Sequence, residues 1–271
     1  MSRNDKENEQ SSSEHSKEPE ENKVVLYDLA ENIKRYKDVF GEDSDLSVRY
    51  MQHENLKMAI LFIDSLVEKE IMDQHVIHVL NNQLNDIVSA DEEIILSTSK
   101  TKKITKHKEV LEHLLQGYSI ILFDGYPIAY AAETAGGDRR PVTESSVETV
   151  VRGPRESFNE SIMTNIGLIR RRVHTPHLQI YKKELGKESK TSVAVLYIKG
   201  IAKDNIVEEV ISRIDNISID AVLDSLYIEE LIEDPQRYSP FPTIFNSERP
   251  DRISAGLLEG RIAIIVDGTP V

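Results

Sequence analysis

One stretch of this chain occurs twice, and it constrains the fold more than any other feature. Leu114-Leu115-Gln116-Gly117-Tyr118-Ser119-Ile120-Ile121-Leu122-Phe123-Asp124-Gly125-Tyr126-Pro127-Ile128 is matched by Leu257-Leu258-Glu259-Gly260-Arg261-Ile262-Ala263-Ile264-Ile265-Val266-Asp267-Gly268-Thr269-Pro270-Val271. Each copy ends a helix on Leu-Leu-x-Gly, where glycine suits the left-handed residue that follows a helix C-terminus. Each then runs a buried strand into Asp-Gly-x-Pro, a hairpin-turn signal. Upstream, Leu61-Phe62-Ile63 and Leu196-Tyr197-Ile198 each precede a helical pattern. A common helix-strand-hairpin unit arising twice by chance is the alternative, and two similar α/β lobes are the preferred reading. In the first copy Ile128–Ala132 supplies the partner strand. In the second, Val271 stands where that partner begins, so a further region is expected beyond it.

The rest of the chain divides around that repeat. Residues 1–22 are Ser-, Glu-, Asn- and Lys-rich and bury too little apolar surface to offset ordering entropy, so a disordered tail is expected. A first lobe covers 23–140. Periodicity predicts a helix over Asp28–Phe40 with Leu29, Ile33, Tyr36, Val39 and Phe40 on one face. Strands follow at Leu46–Tyr50 and Lys57–Ile63, then helices at Glu70–Leu84 and Lys106–Leu115. Strands at Ser119–Phe123 and Ile128–Ala132 flank the Asp124-Gly125 turn. The aperiodic stretch Gly136–Pro154 carries the lobe boundary. The second lobe, 141–271, opens with a long helix over 156–173. Strands at Leu178–Glu184 and Val193–Ile198, helices at Asn205–Ile214 and Val222–Glu233, a short strand at Thr243–Phe245, a helix at Arg249–Leu258 and a strand at Arg261–Val266 complete it. The fold class is α/β with α+β character: two similar lobes, each a small mixed β-sheet packed with helices.

Composition removes whole function classes. A formal net charge of -14 sets this chain against the phosphate backbone of nucleic acid. With no cysteine there is no disulfide, iron-sulfur cluster, thiolate zinc or Cys nucleophile. With no tryptophan there is no Trp-stacked carbohydrate site. No apolar run approaches the ~18 residues that read as a membrane span. Met1 opens onto polar residues without an apolar signal core, so a cytoplasmic chain is expected. His75-x-x-His78 and His174-x-x-His177 lack a carboxylate motif and read as ordinary histidines. No metal or cofactor site is read.

The stretch with the densest chemistry runs from Val151 to Val173. Ile162, Ile166, Ile169 and Val173 form its core stripe, and Asn159 and Asn165 are amides that need partners if buried. Glu156 and Glu160 read as acids near a helix N-terminus, and Arg170, Arg171 and Arg172 as cations at its C-terminus. Arg152 and Arg155 add basic character in an acidic chain. Paired carboxylates serve acid-base chemistry, but no nucleophile accompanies them, which leaves a regulatory enzyme acting on a small acid or sugar as the weakest alternative.

Arg-Gly-Pro-Arg-Glu-Ser-Phe-Asn-Glu-Ser at 152–161, Thr-Asn-Ile at 164–166 and Leu-Ile-Arg-Arg-Arg at 168–172 resemble the A subunits of nutrient germinant receptors of endospore-forming bacteria, the GerA family. Leu-Phe-Ile-Asp at 61–64, Asp-Gly-Tyr-Pro at 124–127 and Gly-Arg-Ile-Ala-Ile-Ile-Val-Asp-Gly-Thr-Pro at 260–270 extend the resemblance over about Leu46 to Val271. It implies a non-enzymatic soluble domain that precedes a membrane domain expected after 271. It further implies a receptor in the spore inner membrane, with B and C subunits as partners and this domain on the cytoplasmic, spore-core side. Two mechanisms follow: a cleft between lobes closes on a small nutrient, an amino acid or a sugar, or the domain is an assembly and relay module. The residues assigned to ligand or subunit contact are Arg152, Arg155, Glu156, Asn159, Glu160, Asn165, Arg170, Arg171 and Arg172.

Overall fold

The computed structural model describes residues 24–41, 43–81, 101–136, 156–233 and 244–270. Strands β1 (Leu46–His53) and β2 (Leu56–Ile63) form a hairpin whose tight turn places Glu54 at φ 50°. With β3 (Thr101–Ile104), β4 (Tyr118–Phe123) and β5 (Ala129–Glu133) they make a five-stranded sheet ordered β1-β2-β4-β5-β3. β2 is apolar almost throughout because both its faces are covered. Ala59, Leu61 and Ile63 meet α1 (Leu29–Phe40) and α3 (His107–Leu115), while Met58, Ile60 and Phe62 meet a helix that starts as α2 (Lys69–Met72) and continues through a π-helical turn, Asp73–Ile77. Each fully buried side chain of this size stabilises the fold by about 1.5–3 kcal/mol.

The second unit repeats the plan. Helix α4 (Ile162–Arg170) leads into the β6 (Leu178–Leu185) and β7 (Thr191–Ile198) hairpin, and β8 (Ala263–Val266) completes a sheet ordered β6-β7-β8. Leu178, Ile180, Ala194, Leu196, Ile198 and Ile265 face α4 and α7 (Pro250–Leu258). Val193, Val195 and Val266 face α5 (Asp204–Asp215) and α6 (Ser225–Ile232). The duplicated stretch adopts one geometry twice. Gly117 and Gly260 take φ of 85° and 88° after α3 and α7, and Gly125 and Gly268 both take 85° in the turns.

Four expectations change. The sheets expected to be mixed are antiparallel at every registered pairing. β3 was not anticipated: Thr-Lys-Lys-Ile is an edge strand, and edge lysines discourage further pairing while hiding the apolar pattern. Ile244 and Phe245 lie outside any strand, and Thr243 falls outside the described residues. The helix expected over 156–173 begins at Ile162. Residues 156–161 are irregular because their backbone is engaged elsewhere: the Phe158 amide donates to the Glu248 carbonyl (2.8 Å), and the buried Phe158 ring sits in the core. The expected lobe boundary, 136–154, falls almost wholly outside the described residues.

Candidate functional site

The N-terminus of α4 is held by side chains from both sides. Ser161 caps it, its hydroxyl accepting from the Thr164 amide (3.4 Å). Asp267, in the turn after β8, accepts from the first helical amide, Ile162 N (3.0 Å), while Gly268 N donates to the Glu160 carbonyl (2.8 Å). Asn165 is 1% exposed, and its amide satisfies both backbone groups of Asn159: Oδ1 accepts from Asn159 N (2.9 Å) and Nδ2 donates to Asn159 O (2.6 Å). Asn159 in turn accepts the Ser161 amide through its own side chain (2.9 Å).

The same clasp stands at α1. Asp28 accepts from Glu31 N (2.8 Å), Asp124 accepts from Leu29 N (3.2 Å), and Gly125 N donates to Tyr27 O (2.8 Å). Asn32, also 1% exposed, accepts from Leu26 N (3.0 Å) and donates to Leu26 O (2.7 Å). Amide donors that a helix leaves unpaired are thus satisfied by a turn distant in sequence. Sequence reading did not single out Asn32, or the capping roles of Asp124 and Asp267. The signal was present as Leu29-x-x-Asn32-Ile33 against Ile162-x-x-Asn165-Ile166.

The two units meet along α4. Arg170 and Asp45 have fully buried side chains. The guanidinium donates from Nη2 to Asp45 Oδ1 (2.6 Å) and from Nε to both carboxylate oxygens (3.2 Å each), and Nη1 reaches the Thr175 carbonyl (3.4 Å). Ser65 donates a further hydrogen bond to Asp45, and the Phe40 ring lies 5.6 Å from the guanidinium carbon. Burial alone would push the Asp45 carboxyl up. The Arg170 charge, its hydrogen bonds and that of Ser65 outweigh burial and hold it below the ordinary carboxylate value. One turn earlier, a Cβ on Gly167 would stand 2.4 Å from the Ser65 carbonyl oxygen, so the α4 backbone lies directly on the first unit. At the other end of the junction Gln179 donates to the Val39 carbonyl (3.3 Å), and its Oε1 fills the space a Cβ on Gly41 would need.

The residues singled out from the sequence therefore separate. Arg170 faces the other unit. Arg172 pairs with Glu156 (2.5 Å) and returns a hydrogen bond to the Leu168 carbonyl (2.9 Å). Asn159 and Asn165 form the clasp. Glu160 and Arg171 are exposed. Glu156 and Glu160 do not share a helix turn, because that segment is not helical. Arg152 and Arg155 lie outside the described residues. Two of the cavities among the described residues each lie within one unit. One of about 730 Å³ is lined by α1, β1, β2 and Asp124, and one of about 720 Å³ follows β8. Neither is lined by residues of both units. Among the described residues no three His, Asp or Glu side chains gather into a set able to hold a metal ion, and no helix is long and apolar enough to cross a membrane.

Residues 34–271 match the family model described as Bacillus/Clostridium GerA spore germination protein. The chain is 35% identical over 254 residues to spore germination protein KA of Bacillus subtilis (strain 168), covering 91% of this chain and 46% of that protein. To spore germination protein A1 of the same organism it is 42% identical over 163 residues, 60% of this chain and 34% of that protein. It spans about half the length or less of these relatives. The fold matches the crystal structure of the N-terminal domain of the A subunit of the Bacillus megaterium spore germinant receptor GerK3. That match has a TM-score of 0.69 and 32% identity, covering 92% of this chain and 94% of that one.

Proposed function

This chain belongs to the GerA family of spore germination proteins, and from that membership we propose that it acts as a rigid relay domain of a germinant-receptor A subunit. In this reading it lies on the cytoplasmic, spore-core side of the inner membrane. A membrane domain follows residue 271, and B and C subunits are its partners. It performs no catalysis.

The observation that carries the relay reading is the junction. A cleft that closes on an amino acid or sugar by hinge motion would have to separate Arg170 from Asp45 and lift α4 off Ser65. Losing one partner of such a buried pair costs about 3–5 kcal/mol, so separating it would consume about the whole of the ~4 kcal/mol that a weak millimolar ligand supplies. A body held in this way transmits displacement as a unit.

Spores carrying Arg170→Lys test the reading. Lysine keeps the charge but not the forked donor geometry. Germination should slow by a similar factor for every nutrient, with half-maximal concentrations unchanged and receptor abundance maintained. A shift in half-maximal concentration confined to one nutrient would place recognition in this chain and refute the relay role. An assembly role is the second reading, favoured by Leu223, Leu226 and Leu231, which are 70%, 57% and 47% exposed around α6. It assigns Arg152 and Arg155 to subunit contact, so reversing both to Glu should lower receptor abundance without altering nutrient choice.

A further inference from the structure

The helix that opens as α2 holds one residue that its counterpart in the second unit lacks. The repeat sets Leu61-Phe62-Ile63 against Leu196-Tyr197-Ile198. The same spacing carries Met72, buried in α2, onto Val207, buried in α5. Beyond that point the spacing shortens by one. In α5, Val207 and Ile214 are buried and Val210 and Ile211 half-buried, at the i, i+3, i+4 and i+7 intervals of an amphipathic helix. In the first unit Met72, Val76, Ile77 and Leu80 are buried, at i, i+4, i+5 and i+8. Three exposed residues, Asp73, Gln74 and His75, stand where α5 has Glu208 and Glu209. The helix winds as a π turn at that place, Asp73–Ile77, closed by the His78 amide donating to the Asp73 carbonyl. Single π turns within α-helices are frequent at functional sites.

The extra residue gives this helix a second way to be amphipathic. With the π turn in place, Val76, Ile77 and Leu80 line up with Met72 as Val210, Ile211 and Ile214 do with Val207. In a continuous α-helix, at about 100° per residue, Met72, Val76, Val79 and Leu80 would share an arc of about 100°, and Ile77 would fall outside it. Val79 already packs, half-buried, against this core. Arg213 stands at the corresponding position of α5, which holds no inserted residue. The start of the helix is fixed: the Glu68 amide donates to the Thr134 carbonyl (2.9 Å), and Arg49 of β1 pairs with Asp73 (3.2 Å). Only the part beyond Asp73 can turn. The helix leaves the junction directly, because Lys69 follows shortly after Ser65, against whose carbonyl α4 rests.

We propose that this helix is a two-register switch. In one register the π turn is held and Ile77 lies in the core. In the other the winding is α throughout, Val79 replaces Ile77, and residues 78–81 turn by about 100°, the rotation of one helical residue. A partner that engages the outer face of 78–81 in one register biases the equilibrium by its differential affinity. This inference goes beyond the proposed function and does not rest on it.

Helix register shifts run on the μs–ms timescale, so methyl relaxation-dispersion NMR of the chain reads them. Ile77 and Val79 should share one exchange process, with a minor register populated at about 0.1–10%, while Ile214 in α5 shows none. Deleting His75 should leave a folded chain in which Ile77 keeps its core position and the exchange is lost. Val79→Gln should quench the exchange in the same way. Ile77→Gln should reverse the populations, so that the Val79 methyls gain nuclear Overhauser contacts to Ile60 and Phe62. The switch is overturned if Ile77 and Val79 show no shared dispersion in the native chain, or if dispersion survives the deletion. It is also overturned if the deletion unfolds the chain, since His75 would then not be an insertion, or if Val79 stays outside the core in Ile77→Gln.

Discussion

Replacing Arg170 with Met leaves Asp45 buried with Ser65 as its remaining side-chain hydrogen-bond donor. In the native junction both charged side chains are fully buried, so solvent screens neither, and three donor contacts converge on one carboxylate. Removing one member of such a pair costs about 3–5 kcal/mol, because the survivor keeps its desolvation penalty without its counter-charge. For a chain of this size that corresponds to a fall of roughly 6–20 °C in melting temperature. The pH dependence discriminates this account from a generic packing defect. The native Asp45 carboxyl titrates below its unfolded value. Its stabilisation is therefore present above the ordinary carboxylate range and lost as pH falls through the folded value. In Arg170→Met burial dominates and the folded value rises above the unfolded one, so the deficit should be largest near neutral pH and shrink as the solution is acidified. The double variant Asp45→Leu, Arg170→Met should recover most of the loss, since an apolar pair of similar size is often neutral or better. Urea denaturation of the native chain, the single variant and the double variant at neutral and acid pH reads all of this. A single-variant loss below about 1 kcal/mol, or a deficit independent of pH, would refute the account.

Gly167→Ala should cost about 1–3 kcal/mol by forcing α4 off the Ser65 carbonyl. In Gly256→Ala the new methyl meets only the flexible Arg261 side chain at 3.3 Å, so it should be neutral or stabilising by up to about 1 kcal/mol; thermal melts compare the two. Asn32→Ala and Asn165→Ala each orphan two backbone groups and should cost a similar amount, about 2 kcal/mol or more, in denaturant unfolding. A neutral result at either position would show that the clasps are not equivalent. The Tyr181 phenol, pushed up to about 12 chiefly by its hydrogen bond to Asp215, should fall toward the ordinary tyrosine value in Asp215→Asn, as read by NMR titration of its ring carbons.

Much of the fold was legible because its signals are local. Strand β2 announces itself as an unbroken apolar run, α1 as a stripe of Leu29, Ile33, Tyr36 and Phe40, and the duplicated Leu-Leu-x-Gly and Asp-Gly-x-Pro as punctuation. The stretch from Glu156 to Arg172 was less legible because its partners are distant. Arg170, Arg171 and Arg172 look alike in sequence and read together as dipole compensation. Successive helical residues point about 100° apart, so one turns into the junction, one to solvent and one back to Glu156. Nothing local marks Asp45 as the partner of Arg170. Similarly, Glu156 to Ser161 carries residues that a helix accepts, and only the pull of Glu248 and Asn165 on its backbone keeps it out of one.

The duplication also explains why the junction lies where it does. Superimposing the clasps pairs Leu29 with Ile162 and Asn32 with Asn165, and it pairs Lys34, Arg35 and Lys37 of α1 with Gly167, Leu168 and Arg170 of α4. In α1 the outward face is charged, with Lys34 and Lys37 exposed beside the cavity of about 730 Å³. In α4 every residue from Asn165 to Arg170 is buried. A helix without a solvent face needs a second body to cover it, and here that body is the first unit. Each substitution suits docking in its own way. A glycine stands where the backbones touch, a leucine where the face must be dry, and an arginine where one carboxylate and one carbonyl satisfy its fork. The second copy therefore keeps the clasp that fixes its helix and changes only the face that docks, which is how one repeated module yields a joined pair.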